Sequence, residues 1–593
     1  MDARAVYLEG GKQGSYKLDA FYRGVPRRFY DTGATPFSGS GSDRLTLPAG
    51  WVRDSSTQAM TALNSSLRPV EIYRDWDIYG AGLKLTPTTN WTVKTDYKYT
   101  EREGKQDETA SFGFSALQFI SPIDYNTHDL TAGADYSGDG WQLGLHYLAS
   151  IFDNENTNVT FDNPYTGTAD TGRYALAPDN WTQQIALTGS KIFPRQTVVT
   201  ARLGYEYMKQ DESLLPFTTT ATLFRPLPSS SADARVENLS ANLRATSSPF
   251  KNFTVKGTFR YRERNNKTPE RDYDYVITDD RAGGVVSNVA YDYERYDLKL
   301  GSEYRFNSKV RLHAGYDYQK YNRTQQERSS TNTDRLWGKL KLRINRNANL
   351  DTEVYGEWRD GSNYAQLSNE NPLMRRYNLA NRDRYGVKLF GSLMVGERAD
   401  LGLDFEYADD DYTDSEIGLT DASFIRLGVN GTYILSRNAS IYASVYGEDY
   451  DSDIANNDDG VSPPNWFADS DDTFYTGTIG LKFPEITDRI GATIDYSYST
   501  SNGEIDNDTA GDLTSFPDLE TDRHSLKLNM DYRYSKNLTY KFSYWYEDFG
   551  SEDWTLQGVE PDTVSSLLSL GNDPNDYNAH VFYFGVRYEY GAD

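Results

Sequence analysis

The 593-residue chain contains no cysteine. It therefore forms no disulfide, builds no thiolate metal site and cannot attach a c-type haem covalently, which requires a Cys-x-x-Cys-His motif. It has no apolar run of 18 or more residues, so no transmembrane helix is expected. Histidine is scarce: His128, His146, His313, His524 and His580 are the five present, and none is spaced like the ligand pair of a His-Glu-x-x-His helix. Basic residues are outnumbered, 61 Lys and Arg against 87 Asp and Glu, for a net charge of −26. Nothing in that balance would neutralise phosphates, which argues strongly against nucleic acid as a partner. No signal peptide is visible, because Met1-Asp2-Ala3-Arg4 runs straight into polar sequence; the reading is a mature form of an exported chain. Hydrophobic residues reach only 37%, too little to fill the core of a layered globular protein of this size.

What is abundant is tyrosine (47), glycine (47) and phenylalanine (26), arranged with a period of two. In Trp91-Thr92-Val93-Lys94-Thr95-Asp96-Tyr97-Lys98-Tyr99, Trp91, Val93, Tyr97 and Tyr99 share one face, with Lys94, Asp96 and Lys98 on the other. Such alternation marks a strand with one apolar and one polar side. Leu130, Ala132, Ala134 and Tyr136 lead through Gly138-Asp139-Gly140 into Trp141, Leu143, Leu145 and Tyr147, a tight hairpin. The unit recurs roughly two dozen times. Short turns, such as Ser436-Arg437-Asn438 and Asp488-Arg489, alternate with long polar insertions read over 450–472 and 500–522. That asymmetry, with tyrosines at the run ends, predicts an all-β outer-membrane barrel: antiparallel, up-and-down, with short periplasmic turns, long extracellular loops and aromatic girdles.

The polar face is persistently charged. Lys94, Asp96, Arg260, Arg262, Arg311, His313, Lys339, Lys341 and Arg343 alternate with apolar neighbours and are the residues expected to line the lumen and contact whatever fills it. Asp351 and Glu353 lie on the run next to Lys339 and Lys341. Acidic stretches containing Asp409, Asp411, Asp458 and Asp459 are weak Ca²⁺ candidates as oxygen-rich loops, with solvated surface as the blander account. No Gly-x-Ser-x-Gly elbow and no pairing of carboxylates for acid–base work emerges, so no enzyme activity is expected. Residues 1–70 are expected to form a strand or two and then an irregular segment in or under the barrel, residues 71–590 the barrel, and 591–593 a tail.

The terminal run Tyr583-Phe584-Gly585-Val586-Arg587-Tyr588-Glu589-Tyr590 places aromatics three and five residues after a glycine. Gly585, Tyr588 and Tyr590 thereby resemble the terminal-strand signal read by the outer-membrane insertion machinery. A wider resemblance starts at Gly14-Ser15-Tyr16, Tyr22-Arg23-Gly24-Val25-Pro26, Asp31, Thr35-Pro36-Phe37, Leu47-Pro48 and Trp51. It continues through Tyr125-Asn126, Ala132-Gly133-Ala134-Asp135-Tyr136 and Asn163-Pro164-Tyr165. It ends with Tyr174-Ala175-Leu176-Ala177-Pro178-Asp179-Asn180, Pro194 and Thr197. Over about the first 210 residues the chain resembles the MtrB/PioB family of decahaem-associated outer-membrane porins. The resemblance implies a barrel of about 26 strands enclosing a multihaem cytochrome, with haem c on that partner and not on this chain. It also implies an electron path across the membrane to an outer-surface cytochrome, within outer-membrane lipid and lipopolysaccharide. The chain lacks the Cys-x-x-Cys pair that some members carry near the mature N-terminus, which leaves a redox role for that segment without support. At about 4.8 Å between strands and about 40° of tilt, some 26 strands close a ring on the order of 50 Å across, too wide for side chains to fill. A solute channel for sugars or ions, constricted by inward-folded loops, is the competing expectation.

Overall fold

The computed structural model describes residues 3–365, 370–458, 460–509, 512–571 and 576–590. The expected tail at 591–593 and Asp459 lie outside the described residues. The alternation seen in the sequence becomes one 26-stranded sheet. Setting aside three short strands, Met374–Arg375, Asp512–Ser515 and Leu567–Leu568, leaves 23 long ones joined as a continuous antiparallel meander. The implied figure of about 26 thus matches the sheet, while the wall proper is narrower. The wall already starts at Arg4–Lys12 and Tyr16–Tyr30, which pair in antiparallel register, so the first thirty residues belong to the barrel. Its edges are Arg4–Lys12 and Tyr577–Tyr588, and no pairing joins them among the described residues. With an odd number of alternating strands, both edges run in the same direction.

Connections sort to two ends. Residues 89–90, 139–140, 251–252 and 437–438 are short turns at one end, whereas 31–71, 155–179, 211–233, 267–292, 362–365, 370–381 and 553–571 lie at the other. The two faces differ as sharply. Leu145, Leu187 and Leu203 stand side by side on adjacent strands and are 51%, 44% and 54% exposed. Rows of exposed aliphatic side chains of this kind belong against lipid, so the alternate residues line the lumen.

The lipid-facing band is bounded by aromatics. Near the short turns, Trp91 meets Tyr136 edge to face and Tyr136 packs at a tilt on Trp141. Toward the long connections a second girdle repeats one motif three times: a Tyr-x-Tyr pair on one strand receives a histidine from the next. Tyr97 Oη lies 2.7 Å from His128 Nδ1, Tyr496 Oη 2.8 Å from His524 Nδ1, and Tyr544 Oη 2.9 Å from His580 Nδ1. The ring of Tyr99, Tyr498 or Tyr546 packs over the same imidazole. Tyrosine and histidine carry an apolar body and a polar tip, which suits the headgroup level. The nine residues Trp91–Tyr99 rise roughly 20–25 Å at a tilt of about 40°, the height of an outer-membrane hydrocarbon band.

Above the second girdle the structure corrects the sequence reading. The acid-rich stretches read as loops are largely strand: Ala399–Asp411, Ala439–Asn456, Trp466–Thr487 and Ile490–Thr509 leave only 457–465 as a connection within 450–472. Asp411 stands opposite Asp421, Asp421 opposite Asp453, Asp453 opposite Asp469, and Asp469 opposite Asp506. This row lies on the lipid-facing parity. Charges there cannot sit in hydrocarbon, so the strands have left the membrane at this level and are wet on both sides. With both faces polar, the alternation that announces a strand disappears.

Candidate functional site

The lumen wall is built from the second face of every strand, and all nine sequence-derived lumen candidates lie on it. Lys94 and Asp96 belong to Trp91–Phe112, Arg260 and Arg262 to Phe253–Asn266, Arg311 and His313 to Val310–Arg323, and Lys339, Lys341 and Arg343 to Ser330–Arg343. Register decides which of them are free. Lys341 Nζ lies 3.2 Å from Asp351, Lys339 Nζ 3.9 Å from Asp351 and 3.8 Å from Glu353. Arg335 reaches Glu353 at 3.2 Å and Glu357 at 3.9 Å. Arg311 and His313 both approach Glu303, at 3.7 and 3.9 Å. The pattern continues laterally through Arg382 with Glu357, Arg384 with Asp410, Lys388 with Glu406 at 2.6 Å, and Arg426 with Glu406. Over this sector the wall neutralises itself. Sequence reading flagged Asp351 and Glu353 beside the lysines, but Arg335, Glu357, Arg384, Asp410, Glu406 and Arg426 needed the strand register.

Aromatic rings on the same face lie flat. Tyr355 covers Gly386 and Trp337 covers Gly315 on the neighbouring strand, so closely that a Cβ at either glycine would overlap the ring. A side chain at those glycines would push the ring toward the barrel axis. Over this sector the wall therefore keeps a smooth, polar, ion-paired surface.

At the long-connection end the wall carries a cap. The hairpin Trp91–Phe112 and Ser115–Gly138 extends beyond its neighbours, and the lumen-side residues Phe112, Leu117 and Phe119 anchor a buried cluster with Phe37, Leu45, Met60, Leu63, Phe161, Tyr165 and Leu568. The segment 31–71 thus sits at this mouth, on the hairpin's lumen side. Several of the residues that carry the family resemblance, among them Phe37, Leu47, Trp51, Tyr165, Tyr174 and Leu176, build this cap. Trp51 Nε1 donates to the Pro164 carbonyl at 3.1 Å, and Asn163 Oδ1 accepts from the Tyr165 amide at 2.8 Å. Tyr165, 1% exposed, donates to the Ala116 carbonyl at 2.5 Å and accepts from the Leu568 amide at 2.8 Å. Burial pushes its phenol up to about 12, which keeps it protonated and able to donate. Thr57 Oγ1 donates to the Val564 carbonyl and its amide to Ser565. The last long connection is in this way tied to the first, across the two ends of the sheet.

The remaining candidates stand apart. Gly585 lies on the lumen parity and Tyr588 on the lipid parity of the terminal strand, while Tyr590, 93% exposed, is beyond its end. Asp409 and Asp411 point outward at a strand end, and Asp458 sits in the connection 457–465, accepting from Asn465 Nδ2 at 2.6 Å. No group of three or more His, Asp or Glu side chains is placed to hold a metal ion among the described residues.

With that geometry in view, comparison with known proteins is direct. The family model described as outer membrane beta-barrel porin, MtrB/PioB, matches residues 1–590. The protein is 28% identical over 601 residues to "Outer membrane protein MtrB" of Shewanella baltica (strain OS185), covering 99% of this chain and 85% of that one. Among solved structures, the outer membrane transporter YddB from Escherichia coli aligns with a TM-score of 0.51 at 10% identity, over 96% of this chain and 84% of that one. A mutant of the ferric enterobactin receptor PfeA from Pseudomonas aeruginosa aligns with a TM-score of 0.50 at 12% identity, over 87% and 78%. At such identities these two speak for the fold alone.

Proposed function

The chain belongs to the MtrB/PioB family of outer-membrane β-barrel porins, and from that premise we propose that it sheathes a multihaem c-type cytochrome and insulates its electron path from the lipid. The observation that carries this reading is the lumen itself. A wall of 23 strands, closed at about 4.8 Å spacing and about 40° tilt, would enclose a width of roughly 45 Å. Its side chains are largely held to the wall by cross-strand ion pairs and glycine contacts, so they do not fill that space. An occupant of protein size closes the leak and meets a polar surface. A charged redox protein could not sit in hydrocarbon directly. Without cysteine the barrel holds no covalent c-type haem, so the electron carriers would reside on the partner, and an outer-surface cytochrome would meet it at the long-connection mouth.

A solute channel remains the second reading, favoured by one observation: the cap packs on the lumen side of the mouth, where it would narrow a passage. Vesicles separate the two. With the natively purified complex reconstituted, an impermeant external reductant should reduce an acceptor sealed inside at least about tenfold faster than with the barrel stripped of its haem protein, since an electron path is lost when its carriers are removed. Equal rates, with solute-selective conductance by the stripped barrel, would favour the channel.

A further inference from the structure

The lumen wall is not neutralised everywhere. On the strand Phe253–Asn266, Lys256, Arg260, Arg262 and Arg264 all take the lumen parity. Arg202 and Arg244 lie on the same face of the two preceding strands. None of these six cations forms an ion pair with a wall carboxylate among the described residues. The nearest carboxylates by register are engaged elsewhere. Asp297, directly opposite Arg260, accepts from Arg295 at 3.2 Å and from Gln319 at 2.9 Å. Glu206 accepts from Asn238 at 2.7 Å. Arg262 instead faces Arg295, a like-charge pair of the kind that costs stability in a sheet. In an acidic protein whose adjoining lumen sector pairs its cations within the wall, this column lacks its counter-charge.

We infer that the lumenal face of Phe253–Asn266 is a docking surface for an acidic strip on the enclosed protein, an inference that rests on the sheath reading above. Length favours a macromolecular surface over a small anion. From Lys256 to Arg264 the column runs roughly 26 Å at about 3.3 Å per residue, farther than one phosphate or carboxylate spans. Guanidinium groups favour bidentate contact with carboxylates, and a row of them fixes the rotation of the occupant inside a round lumen as well as holding it.

The test compares two matched charge losses in the intact complex. R260Q/R262Q removes two cations from the column. K527Q/K541Q removes two on the lumen face of the adjacent strands Leu519–Arg533 and Leu538–Glu552, residues with no assigned role in contacting the occupant. Both variants are checked for heat-modifiable migration as folded barrels. After a wash in high salt, the ratio of haem protein to barrel should fall at least about tenfold for R260Q/R262Q and less than about twofold for K527Q/K541Q, as expected for a complementary charge contact. Equal retention by R260Q/R262Q and the unsubstituted protein would overturn the inference, as would equal losses in both variants, which would mean a lumen that holds its occupant by general charge. A colourless unsubstituted barrel would instead remove the sheath reading itself.

Discussion

Replacing Leu145 by Arg should cost the folded barrel about 2–4 kcal/mol, and replacing the adjacent His146 by Arg less than about 1 kcal/mol. The two residues are neighbours on Trp141–Asn154 and differ only in the face they occupy. Leu145, 51% exposed, stands in the row of Leu187 and Leu203 at mid-height of the lipid-facing band, where a guanidinium has neither water nor a counter-ion. His146 faces the lumen with Nε2 3.2 Å from Asp135, so an arginine there meets water and the same carboxylate. Denaturant titration in lipid, followed by heat-modifiable electrophoresis, measures both. Similar losses, or a greater loss for H146R, would contradict the assignment of faces and, with it, the placement of the charged wall.

The second large effect concerns the cap. Tyr165→Ala should remove about 3–5 kcal/mol from the packing at the mouth, the usual cost of deleting a buried aromatic ring. It also leaves the Leu568 amide and the Ala116 carbonyl without their partner. Tyr165→Phe keeps the ring and should cost about 1–3 kcal/mol through those two groups. Because the cap joins residues 31–71 to 553–571, the expected signature is local. Limited proteolysis should nick both connections in Y165A while the wall strands stay protected. Protection unchanged from the parent would mean that the cap does not tie the two ends of the sheet. Global loss of heat-modifiability would mean that the wall itself depends on Tyr165.

The wall was legible in the sequence because its two faces meet different solvents. Leu298, Leu300 and Tyr304 alternate with charges, turn at Asn307-Ser308-Lys309 and return as Val310, Leu312, Ala314 and Tyr316, and the strands Tyr293–Arg305 and Val310–Arg323 follow that pattern. It failed where the solvents stop differing. Asp451 and Asp471, paired across two strands above the membrane, read as loop because neither face there is apolar. The cap was hidden for another reason. Trp51 finds Pro164, and Thr57 finds Val564 some five hundred residues later, contacts that leave no local period. The lumen candidates fall between these cases. Alternation assigns Arg260 and Lys339 to the same face, but only strand register distinguishes Lys339, held by Asp351 and Glu353, from Arg260, whose opposite carboxylate is already occupied. The three histidines of the girdle are similar, since a Tyr-x-Tyr spacing is visible in sequence while the imidazole on the next strand is not.

The most direct measurement of the central claim is the ratio of haem to barrel in the complex purified from its own membrane in mild detergent, by visible absorption and haem stain against protein mass. Because this chain has no cysteine to bind c-type haem, any covalent haem belongs to a second protein. A strong Soret band at a fixed, multihaem stoichiometry that survives size-exclusion chromatography is the predicted result. A colourless barrel showing steady single-channel conductance would contradict the sheath and leave a solute porin in its place.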